Sequence, residues 1–276
     1  MPEWLKAIIF GVVEGITEWL PISSTGHMIL LDEFLKLEVS MRFWEMFLVV
    51  IQLGAVLAVV LLYFGRLNPF LWQQGRLGLR KDTVTLWKKI VISCIPAGLV
   101  GVFLDETIED IFYHWQTVAV MLILVGLWFL WVERKRAKGV GPGAQKQVDR
   151  LEGLTYRAAF VIGLFQLLAA VFPGTSRSGA TILGALLLGI SRTVAAEYTF
   201  FLAVPVMLGA SALKLVKFGF HYSSQELSIL ILGMGAAFAV SVLAIRFLMG
   251  YIKKHDFKVF GWYRIVLGAA VLVYFL

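Results

Sequence analysis

Two apolar segments, residues 4–31 and 154–190, are each interrupted near their middle by a proline and a run of small hydroxyl residues. Neither half of the first segment reaches the roughly 20 residues an apolar helix needs to cross a bilayer. Non-helical backbone at membrane depth is tolerated only where protein buries it or where it lines a cavity. Each segment is therefore expected to enter the membrane and return as a re-entrant helix–loop–helix. The rest of the chain has to be built around that pair.

Three apolar runs long enough to span follow each broken segment. In the first half they cover about 43–64, 90–104 and 116–132, the second kinked at Pro96 and Gly98. In the second half they cover about 194–216, 228–249 and 259–276. The fold class expected is an all-α polytopic membrane protein. Residues 1–137 form a first repeat with its hairpin at 4–37, 138–153 a linker, and 154–276 a second repeat with its hairpin at 154–190. The broken segments align without gaps, placing Gly11 on Gly163, Glu14 on Gln166, Pro21 on Pro173 and Ser24 on Ser176. A hairpin adds no crossing, so three spans per half turn the second half upside down, which makes an inverted-topology repeat.

Charge gives the orientation. Arg66–Lys89 holds six Lys/Arg against the single acid Asp82. The linker carries Lys138, Lys146 and Arg150, and 250–258 carries Lys253, Lys254 and Lys258. The connection 105–115 holds Asp105, Glu106, Glu109 and Asp110 with no Lys or Arg. By the positive-inside rule the basic loops are cytoplasmic, and the acidic loop and both termini lie outside. The first hairpin then enters from outside. The apolar run after Glu3 flows into Glu14 and Glu18, so a cleaved signal peptide is not expected.

With 59% hydrophobic residues, 16% charged and a mean hydropathy of +0.83, the composition is that of a membrane protein. The net charge of +7 resides mostly in short loops, which excludes nucleic acid as its explanation. The one cysteine, Cys94, rules out a disulfide framework or a cysteine metal cluster.

The chemistry is concentrated in the two breaks. Glu14 and Glu18, four apart, share a helix face. They are either simply solvated, or face a cavity as a ligand pair for a divalent cation such as Mg²⁺ or Ca²⁺ that substrate phosphates would also bind, or as one ligand and one proton donor, Glu18 being counted among the catalytic candidates. Pro21 should end their helix, leaving Ser23, Ser24, Thr25 and Gly26 as a loop before His27. Those hydroxyls are ordinary caps, unless His27 serves as a base that makes one of them a nucleophile. Pro173–Gly179 supplies Gly174, Thr175, Ser176, Ser178 and Gly179, whose N–H and O–H groups can face an anion. Arg177 adds a planar fork for phosphate oxygens, or neutralises Glu14 or Glu18. No Walker loop is present. Charges at membrane depth cost about 2.5–3.5 kcal/mol each on insertion scales, so these groups read as a working site for a phosphate. Glu45, Gln52, Glu197 and Arg192 are candidates of second rank.

Residues 11–30 (GVVEGITEWLPISSTGHMIL) and 173–184 (PGTSRSGATILG) resemble the bacterial undecaprenyl-diphosphate phosphatases of the bacitracin-resistance type. The likeness extends through 43–55 and 197–210 and covers essentially the whole chain. It implies a multi-pass enzyme of the bacterial plasma membrane with an outward-facing site. Such an enzyme removes the terminal phosphate of a C55 polyprenyl diphosphate, recycling the carrier lipid for peptidoglycan synthesis and conferring bacitracin resistance. It also implies an inverted-repeat fold. Carried over by position, the family's acidic motif falls on Glu14 and Glu18, its serine and histidine on Ser24 and His27, and its phosphate-binding arginine on Arg177. Ser24 with His27 as base, His27 itself, or an activated water are the candidate nucleophiles, with the serine favoured. The partners expected are the polyprenyl diphosphate, membrane lipids and a second copy of the chain in a homodimer.

Two other readings compete. A secondary transporter or lipid flippase has the same broken-helix plan but does not need a hydroxyl–imidazole pair. A type-2 phosphatidic-acid phosphatase shares a Ser-Gly-His-like element, but this chain lacks that family's remaining signature.

Overall fold

Two short hairpins face each other inside a cage of long helices. The computed structural model describes residues 1–73, 76–140, 147–219 and 221–276. The first hairpin is α1 (Glu3–Thr17) and α2 (Ser24–Phe34); the second is α8 (Tyr156–Val171) and α9 (Arg177–Leu187). Among the described residues, six helical segments are long and apolar enough to cross a membrane: Met41–Leu67, Lys81–Phe103, Trp115–Ala137, Arg192–Phe218, Ser224–Ile252 and Lys258–Phe275. The first comprises α3 (Met41–Val50) and α4 (Gln52–Leu67); the others are α5, α7, α10, α11 and α12. Between α5 and α7 lies α6 (Asp105–Phe112), in the acidic connection. The chain is a multi-pass membrane protein.

The spans run longer than their apolar cores suggested. α5 starts at Lys81 rather than near 90, with Asp82 in its first turn, where the helix dipole favours an acid. Its Lys89 stem is buried while the ammonium reaches the Glu152 carbonyl at 3.2 Å. α5 also continues through Pro96. Among the described residues the chain departs from all-α in two places, one of them an isolated parallel bridge between Val148 and Ile190. β1 (Phe70–Gln73) and β2 (Arg76–Leu79) pair antiparallel in the basic loop after α4, with Phe70 opposite Leu79. Asn68-Pro69 stops the helix there, and the Asn68 side chain accepts the Phe70 N–H at 3.0 Å. Of the linker expected at 138–153, residues 141–146, with Lys146, lie outside the described residues.

Packing crosses between the halves. α1 lies along α11, close enough that a Cβ on Gly15 would stand 2.8 Å from the Ala237 carbonyl oxygen. α8 lies along α5, where a Cβ on Gly163 would stand 2.5 Å from the Ser93 carbonyl oxygen. α7 and α12 meet at Gly126 and Gly261. Absent side chains let these backbones approach, as lipid-embedded helices require. The largest core cluster gathers Trp19, Ile182, Tyr198, Phe200 and Phe201 around the two hairpin tips and α10.

Candidate active site

Each hairpin turns at a serine held in the left-handed region. Ser23 has φ 75° and Ser176 φ 69°, the two non-glycine residues with positive φ among those described. Such a conformation costs of order 1–3 kcal/mol and persists where the surroundings impose it. Each serine caps the helix that follows: Ser23 Oγ accepts the Gly26 N–H at 3.3 Å, and Ser176 Oγ accepts the Gly179 N–H at 3.1 Å. The helix therefore begins at Ser24, and Thr25, Gly26 and His27 lie in its first turn rather than in a loop. The gapless alignment slips here by one residue. Ser23, not Ser24, matches Ser176, and Ser24 stands where the second hairpin has Arg177.

Those two equivalent positions meet at one carboxylate. Glu18, 5% exposed, accepts Ser24 Oγ on Oε2 at 2.7 Å and Arg177 Nη2 on Oε1 at 2.9 Å. Its backbone carbonyl accepts the Ser178 hydroxyl at 3.0 Å, and Ser178 in turn lies 3.1 Å from Ser176 Oγ. Arg177 also donates to the Thr199 carbonyl at 3.0 Å and stands 5.8 Å from the Trp19 ring. Thr199 and Thr181 share a buried hydroxyl bond of 2.8 Å that backs this wall. One turn before Glu18, Glu14 is 1% exposed, and among the described residues its Oε1 has no partner. Its counterpart Gln166 is likewise buried with an unpartnered amide.

His27 is placed differently from a base on Ser24. Its Nδ1 lies 2.7 Å from the Ser23 carbonyl oxygen and its Nε2 2.7 Å from the Tyr263 hydroxyl. The imidazole and phenol rings are parallel, with centroids 5.6 Å apart.

Two residues of this centre escaped the sequence reading, both on α12. Arg264 is fully buried and donates to the carbonyls of Pro21 at 3.2 Å, Gly174 at 2.7 Å and Thr175 at 2.9 Å, one from the first hairpin loop and two from the second. A lone arginine inside the run 259–276 was the available signal, by the same rule that singled out Glu14. Tyr263 carried no signal, because aromatic residues are ordinary in such a helix. Gly174 has φ 88°, and a Cβ there would stand 2.6 Å from the Val118 carbonyl oxygen of α7. Only glycine makes that turn at that distance.

The candidates of second rank lie outside the centre. Glu197 pairs with Arg66, and Glu45 is exposed. Gln52 is 3.4 Å from the Leu48 carbonyl. Arg192 donates two bonds to the fully buried Glu133, at 2.9 and 2.5 Å, and Glu133 also accepts the Phe257 N–H at 3.1 Å. That bridge ties α7, α10 and the start of α12 together.

A metal would find two carboxylates here, and no group of three or more His, Cys, Asp or Glu forms a cluster among the described residues. The unpartnered, buried Glu14 oxygen fits a hard cation whose other ligands come from phosphate and water. Glu18 fits it less well, because both of its oxygens already accept bonds.

Residues 7–270 match the family model described as bacitracin resistance protein BacA. The chain is 62% identical over 273 residues to an undecaprenyl-diphosphatase of Desulfitobacterium hafniense, covering 99% of this chain and 96% of that protein. It is 62% identical over 274 residues to undecaprenyl-diphosphatase 1 of Clostridium acetobutylicum, with 99% and 98% covered. An undecaprenyl-diphosphatase of Enterococcus faecalis is 54% identical over 272 residues, with 98% and 96% covered.

Proposed function

The chain belongs to the bacitracin resistance protein BacA family, and from that premise we propose a serine-centred mechanism for its reaction. It is an undecaprenyl-diphosphatase. The observation that carries the mechanism is the Ser24 hydroxyl donated to Glu18 at 2.7 Å, with Arg177 on the other oxygen of the same carboxylate. Glu18 takes the Ser24 proton as Oγ attacks the distal phosphorus in line with the bridging oxygen. The P–O bond to that oxygen breaks, and the lipid monophosphate leaves with the electron pair. Glu18 passes the proton it took to the departing lipid monophosphate. Water then attacks the phosphoserine, Glu18 takes one of its protons and hands it to Ser24 Oγ as the Oγ–P bond breaks, and the other proton leaves on the inorganic phosphate. Arg177 shifts part of its fork from Glu18 to the transferring phosphoryl, where charge builds up. Gly174, Thr175 and Ser176 form the second turn, with Ser178 and Gly179 in the first turn of α9; Ser23 closes the first turn, with Thr25 in the first turn of α2. Besides Gly26 and Gly179, which the serines cap, the first-turn N–H groups of α2 and α9 have no intrahelical partner and suit phosphate oxygens.

A divalent cation is proposed at Glu14, with Glu18 adjoining, where it would neutralise diphosphate charge. The halves are read as inverted repeats. Supporting this are the paired left-handed serines and the reciprocal packing of α1 on α11 and α8 on α5. With the basic loops placed inside by charge, the first hairpin and the site open outward, and the product rejoins the carrier-lipid pool for peptidoglycan synthesis.

The test is phosphate release from undecaprenyl diphosphate by purified protein, with and without chelator. Ser24→Ala and Glu18→Gln are each expected to reduce turnover by about 10³-fold or more, with KM changed far less. Rapid acid quench with terminally labelled substrate should trap labelled phosphoserine in wild type and none in Ser24→Ala. A Ser24→Ala enzyme with most of its turnover would end the serine mechanism.

A further inference from the structure

The bond network of His27 has a direction that the geometry fixes. The Ser23 carbonyl only accepts, so Nδ1 must carry a hydrogen. In the neutral ring Nε2 is then an acceptor, and the Tyr263 hydroxyl is its donor. The Ser23 carbonyl thereby selects the tautomer, and a tyrosine on α12 holds the ring by its other nitrogen.

That tautomer matters because of what Nδ1 holds. In the second hairpin the Ser176 carbonyl receives the opening helical bond from Ala180 N at 2.9 Å. In the first, the equivalent bond from His27 N to the Ser23 carbonyl is stretched to 3.4 Å. The imidazole N–H at 2.7 Å supplements it. Ala180 occupies the place of His27 in the second hairpin and has no ring to do this. The left-handed residue before Ser24 is thus pinned by a side chain, and that side chain is pinned from α12.

We infer that Tyr263 is a positioning residue: by donating to Nε2 its hydroxyl holds the His27 ring in the orientation whose Nδ1–H ties down the Ser23 carbonyl, and so aims Ser24 at Glu18. This rests on Ser24 being the attacking group. The chain of contacts runs from Tyr263 O–H to His27 Nε2, through the ring to Nδ1–H, and on to the Ser23 carbonyl. Without the phenol, Nε2 loses the donor that holds it, and the ring can turn so that Nδ1–H leaves the Ser23 carbonyl.

Tyr263→Phe removes the hydroxyl and keeps the ring that stacks on His27. In protein labelled with ¹⁵N-histidine, one of four histidine ring systems should vanish in His27→Ala, which assigns it. In wild type its shifts should report an Nδ1–H ring with a hydrogen-bonded Nε2, and in Tyr263→Phe an Nε2 without that donor and an Nδ1–H no longer held to Ser23. Turnover should fall about 10–100-fold, as a displaced attacking group costs, with KM within about twofold. On the His27→Ala background the same change should cost nothing further. An Nδ1–H signal unchanged in Tyr263→Phe would overturn the inference, as would an equal loss of turnover with and without His27. The spectroscopic arm does not depend on which group attacks. If Ser24→Ala kept its turnover while Tyr263→Phe still moved the Nδ1–H signal, the serine mechanism would fall and the hold of Tyr263 on His27 would stand.

Discussion

Arg264 shows how a single side chain can be structural and still decide chemistry. Its guanidinium spans three carbonyls that belong to two loops distant in sequence, and a carbonyl triad is matched by a planar fork of several donors. Lysine has the charge but one point of donation. Arg264→Lys is expected to insert and fold, yet to lose about 10²-fold or more in turnover; phosphate release beside a thermal unfolding curve checks both. The residues that could be read from sequence, Glu14, Glu18, Ser24, His27 and Arg177, are polar groups clustered in two breaks. Arg264 was readable in principle from its charge alone. Tyr263 and Trp19 were not, because an aromatic side chain in a membrane helix looks the same whether it faces lipid or an imidazole.

At the scale of elements, the proline-broken segments announced the hairpins but not where their second helices start. Pro21 and Pro173 mark a stop; the start is set by a serine forced into positive φ, a property with no signature in residue type. That is why a gapless alignment paired Ser24 with Ser176, when position by position Ser24 pairs with Arg177. The two helices offer the same first-turn site to different chemistry, a hydroxyl in one and a cation in the other. Gly174→Ala tests the tightness of the second turn. The added methyl meets the backbone of Val118, which has no side-chain freedom to yield, and the left-handed backbone resists it as well. A loss of about 1–3 kcal/mol is expected, read as a lower unfolding midpoint in detergent.

At the scale of the molecule, the three-span count and the broken hairpins were readable, whereas the exchange of hairpins between halves was not. Pairing α1 with α11 and α8 with α5 depends on which glycines face which backbones, information that lies in three dimensions. Two predictions belong here. Co-expressed fragments 1–140 and 147–276 should co-purify as an active complex, because each carries the groove for the other's hairpin; recovery of only separate, inactive halves would contradict the exchange. A cysteine placed in the 105–115 connection of a Cys94→Ser background should react with an impermeant maleimide in intact cells. Labelling only after lysis would invert the orientation.

The brace from α12 also has a bearing on how the enzyme is made. Glu18 and Ser24 enter the membrane early in translation, but the loop that places Ser24 is held by Tyr263, and both hairpin loops by Arg264. A nascent chain still short of that helix has Glu18 and the proposed nucleophile Ser24 without the clasp that joins them. On the proposed mechanism, hydrolytic competence is expected late and in one step, and incomplete chains in the membrane are expected to leave the diphosphate pool untouched.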